Sequence, residues 1–593
     1  MEAKKRADIS LENKWDLKPL YSSVEKWNKD FKALDQLLNN VNKLRGKLSE
    51  SVFNLKNAYI SIDTLYRTLE KVYVYAHLKS DEDISNSENS GLLNRISAKF
   101  AEIQGATAWF EPEVLSLSDE KLREYLKSEE MTFYRRSLEE LLRDKPHMLS
   151  ADEEKIMGLA SDALSTPQQT FSALSNADMK FPEIKDDNGK KITLTHGNYT
   201  TFLESENREI RRNAFNAMYD TFGKFSNTFA TTLAGGIKSN VLNAKIRKFP
   251  SALEASLYSD KVPKSVYDNL ISTVNDNLGY FYEYLEVRKD ILNIDQIDMY
   301  DLHSPIVKGC NIQYSWSQAC SMVIDAVAPL GGEYVDEVKK GFEARWVDVY
   351  ETAGKRSGAY SSGCYDSYPY ILMNYQGRLN DLFTLAHELG HSMHSLLSRS
   401  AQEYHYADYK IFVAEVASTT NEILLHHSLT EKSDDTNFKR YLLSHLADGI
   451  RGTVYRQTMF AEFEKMIYDN FENGIPLTPD SLTESYYSLN KKYHGPKVTP
   501  DDKIGLEWMR IPHFYYNFYV YKYATGFSAA AALSKGIIAG DSGKIDAYMN
   551  FLKAGSTKDV LDIMKDAGVD LTTSKPVEDA LLLFADTVRQ LKK

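Results

Sequence analysis

In the string DLFTLAHELGHSMHSLL, two histidines stand four residues apart, His387 and His391, with Glu388 directly after the first. Around them Leu382, Leu385, Leu389, Met393 and Leu396 recur at three- and four-residue spacing, which predicts a largely buried helix. On a helix, positions four apart lie one above the other, so both imidazoles can aim at one point. A zinc ion held by nitrogens at about 2.0–2.1 Å requires that arrangement. Glu388 lies beside the two rings without needing to bind, where a carboxylate can take a proton from attacking water. The chemistry implied is metal-assisted hydrolysis of a peptide bond. Two structural histidines on a core helix are the bland alternative, but burying them beside a carboxylate without a compensating partner is costly.

A catalytic zinc usually takes three protein ligands and leaves its fourth position to water. The string IFVAEVASTTNEILLHH supplies a third, Glu415, in a segment that reads as strongly helical. Asp408, Glu415, Glu422 and His426 fall roughly on one face of it, among Ile411, Phe412, Val413, Val416 and Ile423. Acidic residues along an otherwise apolar helix call for a reason, and zinc ligation by Glu415 supplies one. Glu422, two turns further on, is placed to orient a ligand imidazole, or else is a partly exposed acid. His394, three residues past His391, is displaced from the shared point and is assigned to a pocket wall or a supporting position. His405, His426 and His427 receive no role.

A second constellation is EWMRIPHFYYNFYVYKYATGFSAAAAL. Tyr516, Tyr519 and Tyr523 follow His513 at roughly helical spacing, with Tyr515 and Tyr521 turned elsewhere. In a hydrolase, such a histidine and phenols could donate hydrogen bonds to the oxyanion of a tetrahedral intermediate. An aromatic core stripe accounts for any single tyrosine equally well.

The chain that must position these groups has 593 residues, too long for one core and suggestive of two or three lobes. With only 30 Gly and 16 Pro, breakers are sparse, which favours long helices. Leu65, Leu69, Val72 and Leu78 show the expected periodicity. The string MKFPEIKDDNGKKITLT predicts a short β-hairpin near 178–195, with Asn188-Gly189 in the positive φ angles of a tight turn. The lobe boundary is drawn after it, giving an N-terminal helical lobe over 1–195 and a catalytic region over 196–593. Just before the histidine helix, GKRSGAYSSGCYDSYPYILMNYQG reads as a loop leading into a strand, Tyr370 to Tyr375, a candidate substrate-facing edge.

Composition narrows the partners. A net charge of −12 with no basic, aromatic-interleaved block argues against nucleic acid. Three cysteines, Cys310, Cys320 and Cys364, form no C-x-x-C pair and fit a reducing compartment. MEAKKRADISLENKWDL is followed by no apolar run, and no stretch approaches the ~18 apolar residues of a bilayer span, so neither secretion nor membrane insertion is expected. The expected location is cytoplasmic. Neither a G-x-x-x-x-G-K-[ST] loop nor a G-x-S-x-G elbow occurs.

In order and approximate spacing, SGAYSSG, TLAHELGHSMHS, FVAEVAST and RIPHFYYNFYVYKYATG resemble the thimet-oligopeptidase family of zinc metallopeptidases, in its oligoendopeptidase F branch. KWDLKPLYSS and VYAHLKSDED extend the resemblance over nearly the whole chain. The resemblance implies one zinc per chain held by His387, His391 and Glu415, with Glu388 as general base. It also implies that His513 and tyrosines after it, Tyr516, Tyr519 and Tyr523 among them, bind substrate and stabilise the oxyanion, with the tyrosine register left open. The implied fold is mainly α, two helical lobes enclosing a deep channel, with a small β element beside the zinc-binding helix. The implied activity is endopeptidase cleavage of short unstructured oligopeptides. Two alternatives stand beside it. A zinc carboxypeptidase would need a cation such as Arg510 or Lys522 to grip a terminal carboxylate. A non-catalytic peptide-binding protein with a relic metal site is disfavoured by the intact Glu388.

Overall fold

The computed structural model describes residues 4–307, 312–498 and 500–592, so Cys310 lies outside the described residues. The chain is mainly α-helical and forms two compact units, each gathered from three stretches. The first comprises Met1–Met148, Ile312–Ser428 and Gly536–Ala567; the second comprises Leu149–Asn311, Leu429–Lys535 and Gly568–Lys593. These units do not follow a single cut at residue 195. Hydrophobic periodicity reports which face of a helix is buried, not which distant helix buries it.

In the first unit the helix Val52–Glu82 is the central element, with Val24–Asn42 and Ser87–Thr107 packed on it. Ser51 starts it by accepting from the Asn54 backbone N–H at 3.2 Å, satisfying one of the donors a helix start leaves unpaired. Leu65, Leu69, Val72 and Leu78 are fully buried along its inner face, as their spacing requires. Trp27 buries its ring there and donates from Nε1 to the Val72 carbonyl at 2.8 Å.

A three-stranded sheet belongs to the same unit. Tyr370–Leu372 runs in its middle, parallel to Val347–Asp348 and antiparallel to Tyr360–Ser362, with Ser361 opposite Ile371. All three central residues are buried, matching the apolar run in the sequence, although the strand stops at Leu372. Such short strands need support from outside the ladder. The Asp348 carboxylate provides it by accepting from Arg6 at 2.6 Å and pairing with Lys355 at 2.8 Å. Lys355 also donates to the carbonyls of Asp348, Tyr350 and Met373.

The second unit contains the predicted hairpin, with Glu183–Lys185 antiparallel to Lys191–Thr193 and Ile184 opposite Ile192. Its turn differs from the tight two-residue form. Only Gly189 has positive φ, at 76°, and the loop closes through Gly189 N–H to Asp186 O at 2.9 Å. The Asp186 carboxylate accepts from the backbone of Asn188 at 3.0 Å and Lys190 at 2.8 Å, which stabilises a wider turn with one left-handed glycine. Among the described residues, no helix is long and apolar enough to cross a membrane.

Candidate metal centre

His387 and His391 lie on the helix Leu379–Ala401, which begins where Asp381 accepts from the backbone N–H groups of Arg378 and Gln376, both at 2.9 Å. Leu382, Leu385, Leu389 and Met393 are buried, so the helix is locked by its apolar side while the histidines remain partly accessible. A second helix, Ala414–Lys432, crosses it at Gly390. A Cβ at Gly390 would stand 2.5 Å from Ser418 Cα and 2.7 Å from the Ala417 carbonyl oxygen, so only glycine permits this approach. Asn421 ties the same pair of helices, donating to the Ala386 carbonyl at 3.2 Å. Sequence periodicity gave no sign of the role of Gly390, because a close crossing depends on the partner helix.

That crossing carries Glu415 to the two imidazoles. His387 Nε2 and His391 Nε2 are 3.2 Å apart, and Glu415 Oε2 is 3.4 Å from the first and 3.6 Å from the second. Ligands at 2.0–2.1 Å around a tetrahedral ion stand about 3.3–3.4 Å from one another. Two nitrogens and one carboxylate oxygen therefore form a triangle of the size, and of the donor chemistry, that zinc requires. Glu422 Oε1 lies 2.5 Å from His387 Nδ1, which fixes the ring and leaves Nε2 turned to the triangle. The His391 ring also hydrogen-bonds the Ala414 backbone. Asp408 does not share the Glu415 face: it precedes the helix, is exposed, and lies 3.4 Å from Arg399.

Burial and neighbouring charges shift the groups of this cluster in different directions. Burial opposes charge on His387, yet Glu415 and Glu422 outweigh it and raise this imidazole to about 10. His391 is pushed down to about 4 by burial and by the charge on His387. Glu415 is held below the usual carboxylate range, chiefly by its hydrogen bond to His387. Glu388 behaves differently. It is buried, and that burial lifts it to about 7, aided by the negative charge of Glu415. The Ser361 backbone hydrogen-bonds its carboxylate, and the Ser361 hydroxyl lies 2.8 Å from that of Ser392 on the histidine helix. Ser361 thus joins the sheet edge to Glu388, a contact that the SGAYSSG string foreshadowed only by its place in the chain.

The other histidines are used elsewhere. His394 is buried and stacked on Tyr409 with ring centroids 3.6 Å apart, so it is a core residue rather than part of a pocket wall. His405 lies between Asp63 at 2.8 Å and Ser137 at 2.6 Å.

In the second unit the predicted aromatic group does assemble, but not on one helix. Asn517 and Phe518 adopt φ of 50° and 60°, and the helix begins only at Tyr521. The resulting bend gathers Tyr516, Tyr519 and Tyr523 around His513, with ring centroids 5.4, 6.4 and 5.9 Å from it. Tyr523 Oη lies 3.5 Å from His513 Nε2. Tyr515 is turned away and bonds Thr232 at 2.8 Å, and Tyr521 is buried. The buried Glu464 stabilises the bend by accepting from the Phe518 N–H at 2.7 Å. Burial raises Glu464 to about 8, so at neutral pH it is mostly the neutral acid. Lys522 is paired with Asp260 at 2.7 Å, and Arg510 lies near Glu507.

The chain is similar to known peptidases. The profile of peptidase family M3 matches residues 201–583, and that of oligopeptidase F matches residues 113–181. Oligopeptidase PepF of Bacillus subtilis (strain 168) is 46% identical over 589 residues, covering 99% of this chain and 88% of its own length. A crystal structure from Chlamydophila abortus superposes with a TM-score of 0.94 at 36% identity, over 100% of both chains. Oligoendopeptidase-F from Enterococcus faecium superposes with a TM-score of 0.73 at 37% identity, over 96% of this chain and 98% of that one.

Two outcomes are expected. Gly390→Ala forces the helices apart against backbone atoms, at a cost of about 1–3 kcal/mol, and separates Glu415 from the histidines. Metal retained after dialysis, measured by elemental mass spectrometry, should fall at least tenfold; full retention would show that Gly390 does not set the spacing. Glu464 has a folded value above its unfolded one, so its contribution to stability is complete below about pH 4.5 and declines as pH rises towards 8. Glu464→Gln keeps the acceptor without the titration. Denaturant unfolding of the variant should therefore lose less stability between pH 5 and 8 than the parent does, by on the order of a few kcal/mol. Identical slopes would rule this out.

Proposed function

The chain belongs to peptidase family M3 and is a metallopeptidase acting on oligopeptides; on that premise we propose that it cuts internal bonds of short unstructured peptides. In this reading zinc is held by His387, His391 and Glu415, and Glu388 is the general base. The observation that carries it is the ligand triangle, with edges of 3.2, 3.4 and 3.6 Å. Zinc bound there would supply Lewis acidity to polarise the scissile carbonyl and to lower the pKa of water towards about 7.

The protein's own groups do the rest. Glu388 takes a proton from the attacking water and passes it to the leaving amine, and its burial supports a basicity suited to neutral pH. Glu422 holds His387 in one orientation through Nδ1. Tyr360–Ser362 is an edge strand of the sheet, suited to receive an extended peptide by backbone hydrogen bonds. His513 with Tyr516, Tyr519 and Tyr523 binds substrate and donates to the developing oxyanion, a role supported by the resemblance and by their clustering. A cytoplasmic setting is part of the proposal; Cys320 and Cys364 are free thiols, which accords with a reducing compartment.

Glu388→Gln removes the base without removing a ligand. Zinc content should stay near one per chain while kcat/KM falls by at least 10³-fold; cleavage at the parental rate would refute the assignment of the base. A library of peptides blocked at both termini, analysed by mass spectrometry, should be cut internally and protected by a chelator. An enzyme that acts only on peptides with a free C-terminus would be a carboxypeptidase instead.

A further inference from the structure

A cavity of about 250 Å³ lies wholly within the second unit, and three guanidiniums line it, those of Arg451, Arg456 and Arg510. Their counter-charges are few. Asp448 accepts from Arg451 Nε at 3.1 Å and is shared with Arg288 at 3.4 Å. Glu507 takes both terminal nitrogens of Arg456, at 2.8 and 3.3 Å, and also accepts from Tyr486 at 2.6 Å and Tyr219 at 3.2 Å. Arg510 is left with longer contacts, 3.7 Å to Glu507, 3.4 Å to Tyr219 Oη and 4.9 Å to the face of Tyr199. The carboxylates paired with these three guanidiniums are thus Asp448 and Glu507, and Asp448 is also shared with Arg288.

The three side chains are part-buried, and a positive surplus facing a largely apolar cavity favours an anion there. The histidines add nothing to that charge. Burial, with Arg451 and Arg456 beside it, pushes His303 down to about 3; burial pushes His494 down to about 4. Much of the remaining wall is apolar, with Phe215, Met299, Leu302, Met459 and Ile504. Arg451 and Tyr455 enter from a π-helical turn, Arg451–Tyr455, a wide turn often found at ligand sites. The Tyr455 hydroxyl is buried with no hydrogen-bond partner among the described residues.

From the under-compensated Arg510 set in an apolar wall, we infer that this cavity binds a small organic carboxylate with an aromatic or branched apolar body. The carboxylate pairs with Arg510, and the body fills the space between Met299, Leu302 and Met459. Glu507, the one carboxylate on the wall, already accepts from Arg456 and two tyrosines. An ammonium group would meet three guanidiniums and no unpaired carboxylate there, so the site disfavours a free α-amine.

The test uses the metal-loaded full chain and isothermal titration with 3-phenylpropionate, beside 3-phenylpropan-1-ol, phenylalanine and inorganic phosphate. Saturable binding of 3-phenylpropionate, at least tenfold tighter than the other three, is expected. Arg510→Met should weaken it at least tenfold. Met299→Trp, which fills the cavity without touching the charges, should also weaken it and serves if the first variant does not fold. A chelator should leave affinity unchanged, since a carboxylate bound at the metal centre would be lost with the metal. Equal binding of the alcohol or phosphate, insensitivity to both variants, or loss with the metal would each overturn the inference. Binding is read without turnover, so this outcome is independent of the assignment of Glu388.

Discussion

The cluster of His387, His391 and Glu415 depends on one steric fact: two helices touch backbone to backbone at Gly390. The Ala417 carbonyl and Ser418 Cα occupy the space a side chain at 390 would need. A wider crossing would leave His387 and His391 aligned on their own helix, yet Glu415 would no longer close the third side of the triangle. The Asn421 bond to the Ala386 carbonyl and the buried leucines of the histidine helix reinforce the same contact. Packing thus sets the distances within this cluster.

Around that contact the acidities of two carboxylates are shifted in opposite directions by environment. Glu415 is held low chiefly by its hydrogen bond to His387, and Glu388 is lifted to about 7 by burial. Glu422 hydrogen-bonds His387 Nδ1. The small sheet contributes through Ser361, whose backbone meets Glu388 and whose hydroxyl meets Ser392. A strand of three residues can do this because Asp348, Arg6 and Lys355 fix the sheet from behind.

The second unit handles polarity in its interior by two different means. Glu464 is kept neutral and used as an acceptor for the strained bend at Phe518, which brings His513 and its tyrosines together. Glu507 is kept ionised by Arg456 and held well below the usual carboxylate range, at about 2, despite full burial. The difference follows from the neighbours: a guanidinium offsets the desolvation of one acid, and a single backbone N–H does not offset that of the other.

Local rules were enough to read several features from the sequence. A four-residue spacing puts His387 and His391 on one side of a helix wherever that helix lies, and the leucine pattern identifies its buried face. Asp408 would share the Glu415 face only if the helix reached back to it, and periodicity does not mark that the helix starts at Ala414. The hairpin was legible in its strands but not its turn, where the Asp186 carboxylate favoured a wider loop. The tyrosines after His513 do not follow the helical spacing that the sequence suggests; they meet because Asn517 and Phe518 bend the backbone. What the sequence alone determined is the set of reactive groups and their local helical phase, since both depend on covalent order and the helical repeat. Tertiary structure alone decided the closing of the triangle by Glu415, the seating of Glu388 against Ser361 and the gathering of three arginines around one cavity. Each of these requires segments far apart in the chain to meet at distances of a few ångströms, and no local periodicity encodes that.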